Sequence, residues 1–252
     1  MPRLLVGTSG YNFPEWRGSF YPPKLPSKQW LEYYARQLGT VEINYTFYRM
    51  PNEKTIAGWN AATPETFTFV LKAPQRITHI ARLRNIDEPL RIFLELIRKL
   101  NAKLGAVLFQ LPPNFRKDLA RLGDLLTQFP TDVRAACEFR HVSWWSDDVY
   151  DLLRSTNTAL CIADTAEGTT PLVSTANFGY IRLRDEGYDE AGLRDWMTTV
   201  QALGSAWTDA FVFFKHEEKG MGPKLAREFL GVAQHTPGHP TPESEKRSPG
   251  EK

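Results

Sequence analysis

Eight short β-type runs, separated by amphipathic helical stretches, constrain this 252-residue chain more than any other feature. The runs fall at 4–10, 40–48, 66–73, 105–111, 134–141, 158–164, 179–184 and 210–216, each apolar or alternating and rich in β-branched or aromatic residues. Helical patterns lie between most of them. Trp30, Tyr34 and Leu38 share a face that begins near Ser27 and stops at Gly39. Glu88-Pro89 opens a second helix with a stripe of Leu90, Phe93, Leu94, Ile97 and Leu100. Leu119 to Phe129, Leu193 to Leu203 and Leu225 to Leu230 carry three more. The linker 165–177 has no helical period, so the sixth crossover helix is expected to be short or missing.

Strands that alternate with crossovers lie parallel, with helices outside. An open doubly wound sheet and a closed barrel both satisfy that pattern. No glycine-rich phosphate fingerprint follows any strand, which disfavours the open dinucleotide-binding form. The strand number favours a single-domain α/β fold, a (β/α)₈ barrel, over residues 1–234. The segment 235–252, HTPGHPTPESEKRSPGEK, has too little apolar surface to offset its ordering entropy and is expected to be a disordered tail.

Hydrophobic residues make up 42% of the chain, enough for a full core, and the formal net charge is only +2. That balance excludes a generic basic coat for nucleic acid but leaves room for a local anion site. Cys137 and Cys161 sit in apolar stretches and read as buried free thiols, which fits a reducing, cytoplasmic setting. The first residues lack the apolar core of a secretion signal, and no apolar run is long enough to span a membrane.

Strand alternation then sorts side chains between lumen and helix layer. In 41–48 the greasy set Val41, Ile43, Tyr45 and Phe47 must meet helices, so Glu42, Asn44 and Thr46 face the lumen. The same argument places Glu138 and Arg140 inside on the fifth strand. It selects Lys72 on the third strand, Gln110 on the fourth, Asp164 on the sixth, and Arg182 and Arg184 on the seventh. The eighth strand ends in Lys215-His216-Glu217, whose phase alternation does not fix. Barrel sites sit at the carboxyl ends of the strands, where these groups gather.

Two readings stay open for Glu42, Glu138, Arg140 and Arg182: a lumen ion-pair network that only holds the barrel, or a functional pocket. As a functional set, Glu42, Glu138, Lys72 and Asp164 are the catalytic candidates, with Glu42 and Glu138 as the acid and base. Glu138 is expected to face a solvated pocket. Lys72, Arg140, Arg182, Arg184 and Lys215 outnumber the carboxylates, which points to a phosphate or carboxylate ligand. His79, His141 and His216 show neither HxH nor HExxH spacing, so no metal or other cofactor is indicated. Tyr11, Phe13, Trp16, Phe20 and Tyr21 crowd the loop after the first strand, and Trp144 and Trp145 follow the fifth. Such aromatics either stack on a ligand or pack their loops down.

The stretches GTSGYNFPEWRGSFYP, WLEYYARQLGTVEINYTFYRMP, FTFVLKAPQRITH, GAVLFQLPPNF, CEFRHVSWW, YIRLR and FFKHE resemble the domain-of-unknown-function-72 family, also called YecE-like proteins. The resemblance runs from Gly7 to about Leu230 and implies a TIM barrel, but no activity. Its motif residues are Thr8, Ser9, Glu42, Asn44, Thr46, Tyr48, Lys72, Thr78, His79, Gln110, Glu138, Arg140, His141, Trp144, Asp164 and Arg182. Most coincide with the lumen set. Many members carry His-Gly after the seventh strand and an asparagine pair after the eighth, where this chain has Arg184-Asp185 and Lys215-His216. The expectation is an enzyme acting on a small anionic or sugar-like substrate. The alternative is a non-catalytic binding protein for a phosphorylated metabolite or, less favoured, a nucleic acid.

Overall fold

The computed structural model describes residues 1–234; the segment expected to form a disordered tail lies outside them. The strands are β1 (Arg3–Ser9), β2 (Thr40–Ile43), β3 (Thr68–Lys72), β4 (Leu104–Gln110), β5 (Ala135–Glu138), β6 (Ala159–Thr165), β7 (Gly168–Thr169), β8 (Phe178–Leu183) and β9 (Asp209–Phe214). The α-helices are α1 (Trp30–Ala35), α2 (Tyr45–Tyr48), α3 (Glu53–Ala61), α4 (Asp87–Ile97), α5 (Leu119–Gln128), α6 (Asp147–Ser155), α7 (Glu190–Leu203) and α8 (Met221–Gln234).

Every strand but β7 pairs in parallel, in the order β5-β4-β3-β2-β1-β9-β8-β6, and β5 pairs with β6 to close the sheet into a barrel. The two-residue β7 runs antiparallel to β6, and no helix lies between β6 and β8, as the linker's lack of period predicts. Threonines replace the missing cover: Thr175 Oγ1 accepts from Leu160 N (2.7 Å) and donates to Thr158 O (2.7 Å).

The helices are set by their caps and stripes. Asn52, Asp118 and Asp189 accept backbone N–H bonds at the starts of α3, α5 and α7. Leu90, Phe93, Leu94 and Ile97 bury the inner face of α4. The patterns above omit α3 and α6, whose buried faces are only Ile56 and Trp59, and Val149, Tyr150 and Leu153.

Two apolar cores result. One fills the space between barrel and helices; the other, inside the barrel, includes Leu5, Val70, Leu108, Cys161, Phe178, Tyr180, Phe211 and Phe213. Aromatic rings thus plug the lower lumen, and the polar groups stand above them. The free thiols Cys137 and Cys161 are both buried. Among the described residues, no helix is long and apolar enough to cross a membrane.

Two strands are shorter than the sequence suggests: the 134–141 run ends at Glu138, so Arg140 and His141 lie beyond β5. The 40–48 run stops at Ile43 and turns into the single turn α2. The cause is Thr46, whose hydroxyl bonds the carbonyls of Ile43 (3.1 Å) and Lys72 (2.6 Å), taking backbone acceptors that a longer ladder would use.

Candidate active site: an arginine-bridged carboxylate pair under a cationic pocket

The strand ends open into a cavity of about 770 Å³. Its lining includes Ser9, Tyr11, Asn44, Tyr48, Lys72, His79, Gln110, Arg140, Arg182, Arg184 and Lys215. Each strand contributes through its phase. Leu5, Val70, Leu108, Ala136, Tyr180 and Phe213 belong to the inner core, so Ser9, Lys72, Gln110, Glu138, Arg182 and Lys215 follow on the same face. This phase places Lys215 in the lumen and His216 outside it.

The floor is an ionic network centred on Arg182, whose Nε alone is buried without a partner among the described residues. Arg182 donates from one terminal nitrogen to Glu42 Oε1 (2.9 Å) and from the other to Glu138 Oε2. Glu42 also accepts from Tyr180 Oη (2.6 Å) and Asn44 Nδ2 (3.3 Å). Glu138 also accepts from Arg140 Nε (3.0 Å). The side chains of Arg182, Glu138 and Glu42 are 2%, 1% and 0% exposed. The expectation that Glu138 faces a solvated pocket is therefore overturned: it lies one layer beneath the pocket. Burial pushes its carboxyl up, yet Arg182 and Arg140 outweigh burial and hold it down at about 2.

Above the floor, Lys72, Arg184 and Lys215 make no such hydrogen bond to a carboxylate among the described residues. Lys72 Nζ stands 4.0 Å over the Phe47 ring and makes no hydrogen bond among the described residues. Burial, then the Arg182 charge, bring its ammonium down to about 8, against the opposing pull of Glu42 and Glu138. Arg184 approaches Glu138 no closer than 3.9 Å, and its Nε is buried without a partner among the described residues. Burial and neighbouring Arg184 lower Lys215. His79 bonds Thr78 Oγ1 through Nδ1 (2.9 Å); burial, Lys72 and Arg140 lower its imidazole to about 4, so it is neutral at pH 7. Ser9 Oγ also lacks a partner among the described residues.

Several sequence candidates are not brought to this pocket. Asp164 occupies the opposite phase of β6 from Cys161 and turns to the helix side, where it accepts from Thr169 Oγ1 (2.5 Å) and Tyr188 Oη (2.6 Å). Thr8 faces α1 and bonds Tyr34 Oη (2.8 Å). Thr46 is spent on backbone carbonyls. Trp16 is buried with its Nε1 on Glu217 O (2.8 Å), and Trp144 stacks on Phe139 with its Nε1 on Phe115 O (2.7 Å). These two tryptophans pack loops down, while Tyr11 and Phe13 line the cavity. His141 bonds Ser143 at the start of a short turn, and His216 Nε2 lies 2.5 Å from Asp185 O.

Sequence reasoning missed Tyr180, whose place two residues before Arg182 on the lumen face could have flagged it. It also missed the aromatic wall of Phe47, Tyr45 and Trp59, contributed by α2 and α3. Among the described residues no cluster of His, Cys, Asp and Glu could hold a metal ion.

Comparison with known proteins agrees with this architecture. The chain is 27% identical to the UPF0759 protein YunF of Bacillus subtilis, covering 90% of this chain and 93% of that one. It is 32% identical to UPF0759 protein YecE of Escherichia coli over 46% of this chain and 43% of YecE. In three dimensions it resembles the DUF72 family protein TM1631 of Thermotoga maritima, with a TM-score of 0.79, 26% identity and coverage of 91% and 98%. The DUF72 family protein EF0366 of Enterococcus faecalis shares the fold at a TM-score of 0.76 and 21% identity, with coverage of 92% and 95%. The model for "Protein of unknown function DUF72" matches residues 5–249, and this chain belongs to that family.

Proposed function

We propose that this barrel is an enzyme acting on a small anionic substrate held at the carboxyl ends of its strands. One observation carries the reading: Lys72, Arg184 and Lys215 line the cavity while the two floor carboxylates are already committed to Arg182, Arg140, Tyr180 and Asn44. Cations left over in a half-buried, low-dielectric site favour an anion, and arginine forks fit phosphate or carboxylate. Glu217 at the rim offsets only part of the excess.

In this reading Glu42 and Glu138 orient Arg182 rather than move protons. Glu138, held at about 2, is already ionised at neutral pH and has no proton to give, and Glu42 is committed to Arg182, Tyr180 and Asn44. Lys72, brought near neutrality, is the better proton-transfer group. The exposed rings of Tyr45 and Tyr48 beside the cavity favour a second reading, a binding protein whose ligand stacks on them without chemistry.

Thermal unfolding with paired ligands tests the proposal. Sugar phosphates and short carboxylic acids should raise the midpoint, while the matching neutral sugars and alcohols should not. Equal shifts from a neutral sugar and its phosphate would overturn it.

A further inference from the structure

We propose that Lys72 is a nucleophile that forms an imine with the carbonyl carbon of a small oxo-compound bearing a phosphate or carboxylate, its anion resting on Arg140 and Arg184. The inference rests on the anion-pocket reading and names the substrate class of that site.

The argument starts from what Lys72 is not doing. A lysine retained to neutralise a buried carboxylate would be paired with it. Here Arg182 bridges Glu42 and Glu138, Arg140 takes the remaining Glu138 oxygen, and Tyr180 takes the remaining Glu42 oxygen. Lys72 is left with the face of Phe47 at 4.0 Å. It sits on the last residue of β3, a rigid position, and its side chain is half-buried in the wall of the cavity.

The groups that act on its charge all favour a free amine except the two carboxylates. Burial, Arg182 and Arg140 disfavour the ammonium, and Glu42 and Glu138 favour it less strongly. His79, close enough to be affected by Lys72, is uncharged at neutral pH and does not oppose this. A lysine amine desolvated beside other cations is the setting in which lysines act as nucleophiles. The neighbouring cations serve a second purpose, because they hold the anion of a substrate whose carbonyl then meets the amine.

The step balances without a further reactant. The amine lone pair forms the C–N bond, and the C=O π pair moves to oxygen, giving a carbinolamine after proton transfer. Loss of that oxygen as water leaves a protonated imine. The carbonyl compound and the lysine ammonium thus give iminium and water, with no oxidation or reduction.

The test uses pyridoxal 5′-phosphate as an anionic aldehyde probe, followed by borohydride, which reduces an imine to a stable secondary amine. Peptide mapping then ranks the lysines by labelling rate. Lys72 should react about tenfold faster than the exposed Lys24 and Lys54, a barrier difference of ~1.4 kcal/mol. Pyridoxal, without the phosphate, should lose that preference, and inorganic phosphate should protect Lys72. Lys72→Arg, which keeps the charge, should remove the fast site and still show a phosphate-induced rise in unfolding midpoint. Labelling of Lys72 no faster than the exposed lysines, while phosphate still raises the midpoint, would overturn the imine and leave the anion pocket standing. Absence of any phosphate effect on the wild type would overturn both.

Discussion

Arg182 joins Glu42 to Glu138 across the barrel lumen, one terminal nitrogen on each carboxylate, with all three side chains at most 2% exposed. The bridge separates the inner aromatic core from the cavity above, so it is both the top of the fold's interior and the floor of the candidate site. Its behaviour divides structural from functional roles among the strand-end residues.

Neutralising one end of that bridge should be costly. Glu138→Gln leaves Arg182 and Arg140 short of a buried negative charge, and breaking such a pair typically costs about 3–5 kcal/mol. Urea unfolding at constant slope should show a loss of about 3 kcal/mol or more at pH 7. The folded carboxyl, near 2, lies below the ordinary 4.5, so its contribution is present above 4.5 and is lost as pH falls toward 2. The variant's stability should lack that decline. A loss below about 1 kcal/mol would show that Glu138 is solvated after all.

Lys72 should act in the opposite direction. Its folded pKa, about 8, lies below the ordinary 10.5, so the unfolded chain binds the extra proton between those values. Stability therefore rises with pH through that window, and below it the protein carries an uncompensated ammonium. Lys72→Met should raise stability at pH 7 by about 1–2 kcal/mol, and the gain should shrink toward pH 10. A loss of stability at pH 7 would mean that the ammonium has an anionic partner.

His79 should remain neutral well below the usual imidazole range. Burial, Lys72 and Arg140 set its titration near 4 rather than 6.5. The NMR shifts of its ring protons should be flat from pH 7 to 5.5 in the wild type. They should move upward in midpoint once Lys72 is replaced by Met. A midpoint at or above 6.5 in the wild type would contradict the cationic character assigned to this wall.

Much of this was legible in the sequence because barrel strands impose a period of two. Glu42, Lys72, Gln110, Glu138, Arg182 and Arg184 break otherwise apolar or mixed strands, so alternation alone brings them to one end. Asp164 shows where that logic stops. In β6 both faces are apolar, as a doubly covered parallel strand requires, so a terminal polar residue gives no phase. Cys161 holds the lumen side instead, and Asp164 bonds Tyr188 and Thr169 outside it. Depth was also hidden. Arg140 is 34% exposed and Glu138 1%, yet they lie two residues apart on one face, and no periodicity distinguishes a pocket wall from its floor. Phe47 and Trp59 reach the cavity from helices after β2, through a turn that Thr46 creates by bonding Ile43 and Lys72 carbonyls.

The central claim, that cations at the strand ends without a hydrogen-bonded carboxylate make an anion site, is tested most directly by calorimetric titration with inorganic phosphate at low salt. The wild type should bind, and the Arg184→Ala/Lys215→Ala double variant should bind about tenfold or more weakly. Because neither side chain makes a hydrogen bond to a carboxylate among the described residues, the variant's midpoint without phosphate should stay within about 2 °C of the wild type. Equal phosphate affinity in the two proteins would contradict the account.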